Sequence, residues 1–270
     1  MTSWTVKEPD KLTFDQVARV RVRTVEGAVA VVGGDGPPSL EVSELSGEPL
    51  RVRLEDGELA IDYERPLLPG PLAWLAGPLG RRHRAVLSLA VPRDCPVELR
   101  VVSASLTVGG LRAPVVARTI SGEITLAGLG GPVEAETVSG PVQASGVAGD
   151  LSATTVSGDL TLAEGGGGAV RARTVSGAIA LDLETSGERD VRLSSVSGDV
   201  TVRLPGDSDL QVKLQSTGGQ VASAFGQLWH EDWPGAHAIR GRLGAGTGRL
   251  KATTTSGDIA LLRRAPEVSL

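Results

Sequence analysis

Aromatic residues are nearly missing from this chain: of 270 residues four are Trp, two are Phe and one is Tyr, and residues 75 to 224 contain none of them. Enzymes that act on polysaccharides line their grooves with rings that stack on sugars, so the long middle of the chain lacks the usual grip for such a substrate. Cysteine is also scarce. The single Cys95 excludes an internal disulfide, and nothing around it argues for a lowered pKa, so it reads as an inert, packed residue. No run of about 18 apolar residues exists to span a bilayer. The start, Met1 to Pro9, has no cationic stretch followed by an apolar core, so a cytoplasmic location is the default expectation. A basic face is absent too. Residues 101 to 224 hold eight Lys/Arg against thirteen Asp/Glu, which is −5, equal to the net charge of the whole chain, and this argues against a nucleic-acid partner.

What the chain has in quantity is glycine, 36 residues of it, and a repeated phrase. Thr/Ser-Val/Ile-Ser-Gly, then any residue, then Ile, Val or Leu begins at Thr119, Thr137, Thr155, Thr174 and Ser195, with spacings of 18, 18, 19 and 21 residues, and a further copy with Thr255 in the Val/Ile place begins at Thr254. A period near 20 with strand-favouring residues implies stacked β coils, each unable to bury its apolar face alone.

Aligning the copies on the Thr/Ser gives columns. Val115, Val133, Leu151, Val170, Val191 and Leu250 stand four residues before it, and Ala117, Ala135, Ala153, Ala172, Leu193 and Ala252 two before it, while polar Arg118, Glu136, Thr154, Arg173, Ser194 and Thr253 immediately precede it. A degenerate copy at Ser216 places Val212 and Leu214 in the same columns. This alternation predicts a strand with one buried face. Past the Ser-Gly a second strand begins, with Ile124, Val142, Leu160, Ile179, Val200 and Ile259 directed inward. The residue after the Thr/Ser (Ile120, Val138, Val156, Val175, Val196) is apolar and reads as a further inward position at a corner. A charge at Val156 is therefore expected to unfold the array. The corner glycines, Gly122, Gly140, Gly158, Gly177, Gly198 and Gly257, are expected to supply backbone angles that a Cβ would forbid.

One further period upstream, Val97, Leu99, Val101, Val102, Leu106 and Val108 occupy the same columns, and Thr24-Val25-Glu26-Gly27-Ala28-Val29 echoes the phrase. The expected architecture is all-β: a parallel single-stranded β-helix, or β-solenoid, of about 18–21 residues per coil. Residues 1–84 form a diverged N-terminal β region with an apolar flap over 64–84. Residues 85–270 form the repeat array, with an irregular insertion about 225–247.

With copies of the type Thr-Val-Ser-Gly-Asp-Leu-Thr-Leu (155–162), the chain resembles the bacterial DUF4097 family, also called toastrack domains and labelled adhesins in some cases. The likeness is good from about 85 to 262 and looser before that. It implies a right-handed parallel β-helix. Its motif is one of fold and carries no catalytic residues to transfer. Family members often sit beside membrane anchors in envelope-stress systems, where a scaffold or sensor role has been proposed; this chain differs from them in showing no run that reads as a transmembrane segment.

The outward acids Glu123, Asp159 and Asp199 form a column broken by Pro141 and Ala178, and read as a solvated turn face before they read as a calcium or catalytic set. The serine column, Ser121 to Ser256, reads as turn chemistry, because the three histidines, His83, His230 and His237, lie outside the regular copies and leave the serines without a base. The segment Trp229 to His237 mixes His and acids at no standard ligand spacing, and reads as a loop laying two indoles over the stack. No catalytic, cofactor or metal site is therefore expected. The contact residues singled out are Leu72, Trp74, Leu75, Arg81, Arg82 and Arg84, an apolar stretch with a Trp and a basic cluster. These ingredients suit either a flap closing the stack or a segment settling on an anionic membrane surface. The reading is a non-enzymatic scaffold or accessory protein that offers its repeat face to an unidentified protein partner, cytoplasmic and open to peripheral membrane contact. The alternatives are a cell-surface adhesin and a polysaccharide-active β-helix enzyme.

Overall fold

The computed structural model describes residues 2–63, 83–163, 167–183, 189–233 and 235–264. They form strands and turns with no helix among the described residues, and divide into two compact units, Met1–Thr125 and Leu126–Leu270.

The first unit contains β1 (Thr2–Val6), β2 (Asp10–Thr13), β3 (Arg19–Gly34), β4 (Ser39–Ser46), β5 (Leu50–Glu55), β6 (Glu58–Tyr63), β7 (Arg84–Pro92), β8 (Val97–Gly109) and β9 (Val115–Arg118), and the boundary falls inside β10 (Ile124–Ala127). Its centre is the pair β3 and β8, parallel along their length with Thr24 beside Val101 and Gly27 beside Ala104. Each strand alternates in two stretches of opposite phase: Val20 and Val22, then Val29 and Val31, are buried on β3, and Leu99, then Leu106 and Val108, on β8, the phase changing over Val25–Ala28 and Val102–Ser103. The first half of β3 also pairs in parallel with β6 and the second half with β7. At the change of partner Gly27 has φ +124°, and a Cβ there would stand 2.0 Å from the Ala85 carbonyl oxygen. Beyond β6 and β7 the strands turn antiparallel: β5 and β1 follow β6, while β4 and β2 follow β7. On the other side Val97 of β8 pairs with Val115 of β9, so the upstream columns hold as expected. Cys95 is buried here, and loss of solvent pushes its thiol up to about 11, out of reach of nucleophilic work near neutrality.

The second unit contains β11 (Val133–Glu136), β12 (Val142–Ser145), β13 (Leu151–Thr154), β14 (Leu160–Ala163), β15 (Val170–Arg173), β16 (Ile179–Asp182), β17 (Asp190–Ser194), β18 (Val200–Leu204), β19 (Leu210–Ser216), β20 (Val221–Ser223), β21 (Trp229–Trp233), β22 (Ala236–Arg242), β23 (Gly248–Thr254) and β24 (Ile259–Arg263). Each copy of the phrase joins two short strands, and each strand stacks in parallel on its counterpart: Val133 on Leu151, Leu151 on Val170, Leu160 on Ile179 and Ile179 on Val200. The aliphatic columns form the core, with Leu160, Ile179, Val191 and Val200 at most 1% exposed.

The stack departs from chain order at its C-terminal end. β17 and β18 pair with β23 and β24, and these in turn pair with β19 and β20. The last copy in the sequence thus lies between the Ser195 and Ser216 copies. Outside β19 lies an antiparallel hairpin, β22 against β19 and β21 against β22, where the sequence suggested an irregular insertion. Trp229 on β21 is exposed instead of lying flat over the stack.

Two expectations about the corner are corrected. Val138, Val156, Val175 and Val196 point outward, each 43–48% exposed, and Ile120 is half-buried. The inward position is the Thr or Ser before them, because the period of two continues through it: Leu151, Ala153 and Thr155 are buried and Val156 is not. The corner glycines, moreover, are not among the residues with positive φ. Crowding is what requires glycine there, since a Cβ on Gly158, Gly177 or Gly198 would lie 1.8–1.9 Å from the carbonyl oxygen of the glycine one coil earlier.

Candidate interaction face

Each corner of the second unit is built on a buried hydroxyl. Thr137, Thr155 and Thr174 Oγ1 accept the N–H of Gly140, Gly158 and Gly177 at 2.9–3.0 Å, and Ser195 Oγ accepts that of Gly198 at 2.8 Å. A buried N–H left without an acceptor would cost about 1–3 kcal/mol, which explains why the column holds only Thr and Ser. The turn closed in this way throws the next two side chains into solvent. Neighbouring coils lock through the same short stretch: the Val138 carbonyl accepts from the N–H groups of Val156 and Ser157, the Val156 carbonyl from Val175 and Ser176, and the Val196 carbonyl from Thr255 and Ser256. Serine hydroxyls add to this ladder, with Ser157 donating to the Val138 carbonyl at 3.3 Å and Ser197 to that of Val175 at 3.2 Å.

The result is a ridge of valines and serines, Val138-Ser139, Val156-Ser157, Val175-Ser176 and Val196-Ser197, repeated at about 4.8 Å from coil to coil. Its backbone is fixed by inter-coil hydrogen bonds, so the exposed valines are held in place before any partner arrives. Sequence reasoning placed these valines in the core by their hydrophobicity. Their phase relative to Leu151, Ala153 and Thr155 was the signal that they face out.

The acid column beside the ridge is also structural. Asp159 Oδ1 accepts the N–H of Ala178 at 2.9 Å, Asp199 that of Asp258 at 2.8 Å and Asp258 that of Gln220 at 2.7 Å, so each carboxylate ties its coil to the next one in space. Among the described residues no group of three or more His, Cys, Asp or Glu is placed to hold a metal ion. His230 and His237 are exposed on the hairpin, and His83 is buried, its Nδ1 accepting the Glu48 N–H at 3.1 Å.

Farther round the coils, the Asp182 carboxylate lies between Arg203 of the neighbouring coil and Arg264, 2.8 Å away. The Arg203 hydrogen bond, followed by Arg264, holds its carboxyl below the ordinary 3.8. A folded-state pKa below the unfolded one means stabilisation that is complete above about pH 4 and is lost as pH falls through the folded value. Asp182→Asn should therefore lower the melting temperature at pH 7 and flatten its decline below pH 4. Parallel melting curves at pH 7 and pH 3 that keep the wild-type difference would refute this.

Of the contact residues expected from the sequence, Leu72, Trp74, Leu75, Arg81 and Arg82 lie outside the described residues. Arg84 opens β7 and forms an exposed ion pair with Glu44 at 3.1 Å. Sequence reasoning missed a groove of about 410 Å³ in the first unit, lined by Arg21, Arg23, Arg53, Glu55, Glu58 and Asp62 among others. Much of its charge is satisfied internally: Arg21 reaches Glu58 at 3.0 Å and Glu98 at 3.4 Å, and Arg53 reaches Asp62 at 2.6 Å. No single run of sequence contains these residues, because β3, β5 and β6 bring them together.

Parallel coils stacked in register, closed by hydroxyl-capped corners, define a β-solenoid protein. Residues 111–262 match the Toastrack DUF4097 family, and the chain belongs to that family. Among solved structures it is similar to a "putative cell adhesion protein" from Clostridium sporogenes (13% identity, 95% of this chain and 100% of that one, TM-score 0.28). It is similar as well to a "putative adhesin" from Bacteroides fragilis (12%, 97% and 97%, TM-score 0.34) and a "putative lipid binding protein" from Parabacteroides distasonis (11%, 96% and 97%, TM-score 0.38). No curated protein matches the chain.

Proposed function

We propose that this protein is a non-enzymatic scaffold or accessory component whose valine–serine ridge is the centre of a contact face for another protein, acting in the cytoplasm close to the membrane. The observation that carries the reading is the exposure of four valines, one per coil, on a backbone already locked by hydrogen bonds. An apolar row gains nothing from water, and a rigid one gives up little conformational entropy when it is covered. Four half-exposed valines cover much less than the roughly 800 Å² per partner of a standard interface, so the polar flanks of the ridge must take part. The family's association with scaffold roles is consistent with this.

The test is a photo-reactive residue placed in the native host at Ser157 or Ser176 on the ridge, and at Thr161 or Arg192 on exposed positions elsewhere in the coils. A discrete adduct from the ridge positions alone, abolished by Val156→Glu with Val175→Glu, is the expected result. Equal labelling from all four positions, or adducts that survive the double substitution, would overturn the proposal.

A further inference from the structure

The coil at the C-terminal end of the sequence is inserted between two coils that precede it. On one side Val191, Leu193 and Val200 stand beside Leu250, Ala252 and Ile259; on the other, Val212, Leu214 and Val221 stand beside the same three. The corner shows the same order, since a Cβ on Gly257 would meet the Gly198 oxygen at 2.2 Å and one on Gly219 would meet the Gly257 oxygen at 2.1 Å. Asp199 accepts from Asp258, and Asp258 from Gln220. The rest of the unit thus supplies both walls of a slot one coil wide. β23 and β24 supply the matching columns, Leu250, Ala252, Thr254, Ile259 and Leu261, all buried.

We propose that residues Gly248–Arg263 are an exchangeable coil: the slot of one copy takes this coil from a second copy of the same chain, and two chains so linked form an intertwined dimer. Every pairing made in one chain can be made between two, because slot and coil are the same in each copy, and only the connection must change course. That connection is short. Leu243–Thr247 joins β22 to β23 through Gly244 at φ +52° and Gly246 at φ +70°, turned back by the Asp209 carboxylate, which accepts the Ala245 N–H at 2.6 Å. Straightened, five residues reach about 17 Å, several coil spacings of about 4.8 Å. Chain order adds an opportunity. Before the last coil enters, Val212, Leu214 and Ser216 can occupy the columns beside Val191, Leu193 and Ser195, since the copies carry equivalent residues. The last coil must part them, and a neighbouring chain competes for the same opening.

The experiment uses the full chain with Ser197→Cys on a tagged copy and Ser256→Cys on an untagged one, both exposed on adjoining coils. The two are mixed, unfolded in urea, refolded over a range of concentrations and oxidised. The native Cys95 is buried and does not compete once folding is complete. Expected are a tagged–untagged disulfide and a dimer that grow together with concentration, with a several-fold rise when Ala245 and Gly246 are deleted to shorten the connection. The pair Ser139→Cys with Ser197→Cys, two coils farther from each other, should give none. Carried on one chain, Ser197→Cys with Ser256→Cys should close an internal disulfide at low concentration. Monomer with no inter-chain disulfide at every concentration overturns the proposal, and failure of the internal disulfide overturns the coil order on which it stands.

Discussion

Gly177→Ala is expected to destabilise the second unit by roughly 3 kcal/mol, enough to bring many domains of this kind near their unfolding threshold. The new methyl would stand 1.9 Å from the Gly158 carbonyl oxygen and 2.5 Å from its carbon. Neither atom can move without shifting the corner of the coil before it, whose own glycine is packed in the same way. A flexible side chain could swing aside; a hydrogen-bonded backbone cannot. Gly226→Ala, where a Cβ meets nothing within 4 Å, is the matching control and should leave the urea midpoint unchanged. Equal midpoints for the two variants would show that the coils are not in such close contact.

The second large effect separates two apolar columns that look alike on paper. Ile179→Asp would bury a carboxylate between Leu160 and Val200 at a site 1% exposed, and should abolish soluble, folded protein at a cost of several kcal/mol. Val156→Asp, at 45% exposure, should melt within about 0.5 kcal/mol of the wild type. The outcome expected from hydrophobicity alone was collapse in both. Thermal unfolding followed by circular dichroism discriminates directly, and a Val156→Asp protein that fails to fold would return that column to the core.

Much of the second unit could be read from particular residues. Val133, Leu151, Val170 and Val191 fall in one column on paper and stand in one column in space, because parallel in-register pairing places equivalent residues of successive coils side by side. The phase of the corner was legible too, but only by counting in twos past Thr155. Apolar character at Val156 pointed the wrong way, since a turn closed by a buried hydroxyl leaves its next residue outside whatever its chemistry. Glycine at the corner was correctly marked as indispensable for an incorrect reason: its backbone angles are ordinary, and the obstacle to a side chain is an oxygen 18 to 21 residues away in the chain. Nothing in a local window reveals such a neighbour. The charged groove of the first unit was invisible for the same reason.

By itself, then, the sequence determined the coil: its paired strands, its aliphatic columns, the place of its corner and the family to which the chain belongs. All of these follow from interactions within a coil or between equivalent positions of any two coils. Only the tertiary structure decided which coil lies beside which. Copies with the same column residues pair about equally well, so the placing of the Thr254 copy between those at Ser195 and Ser216 is set by the longer-range closure of the stack, its end covered by the hairpin on β19.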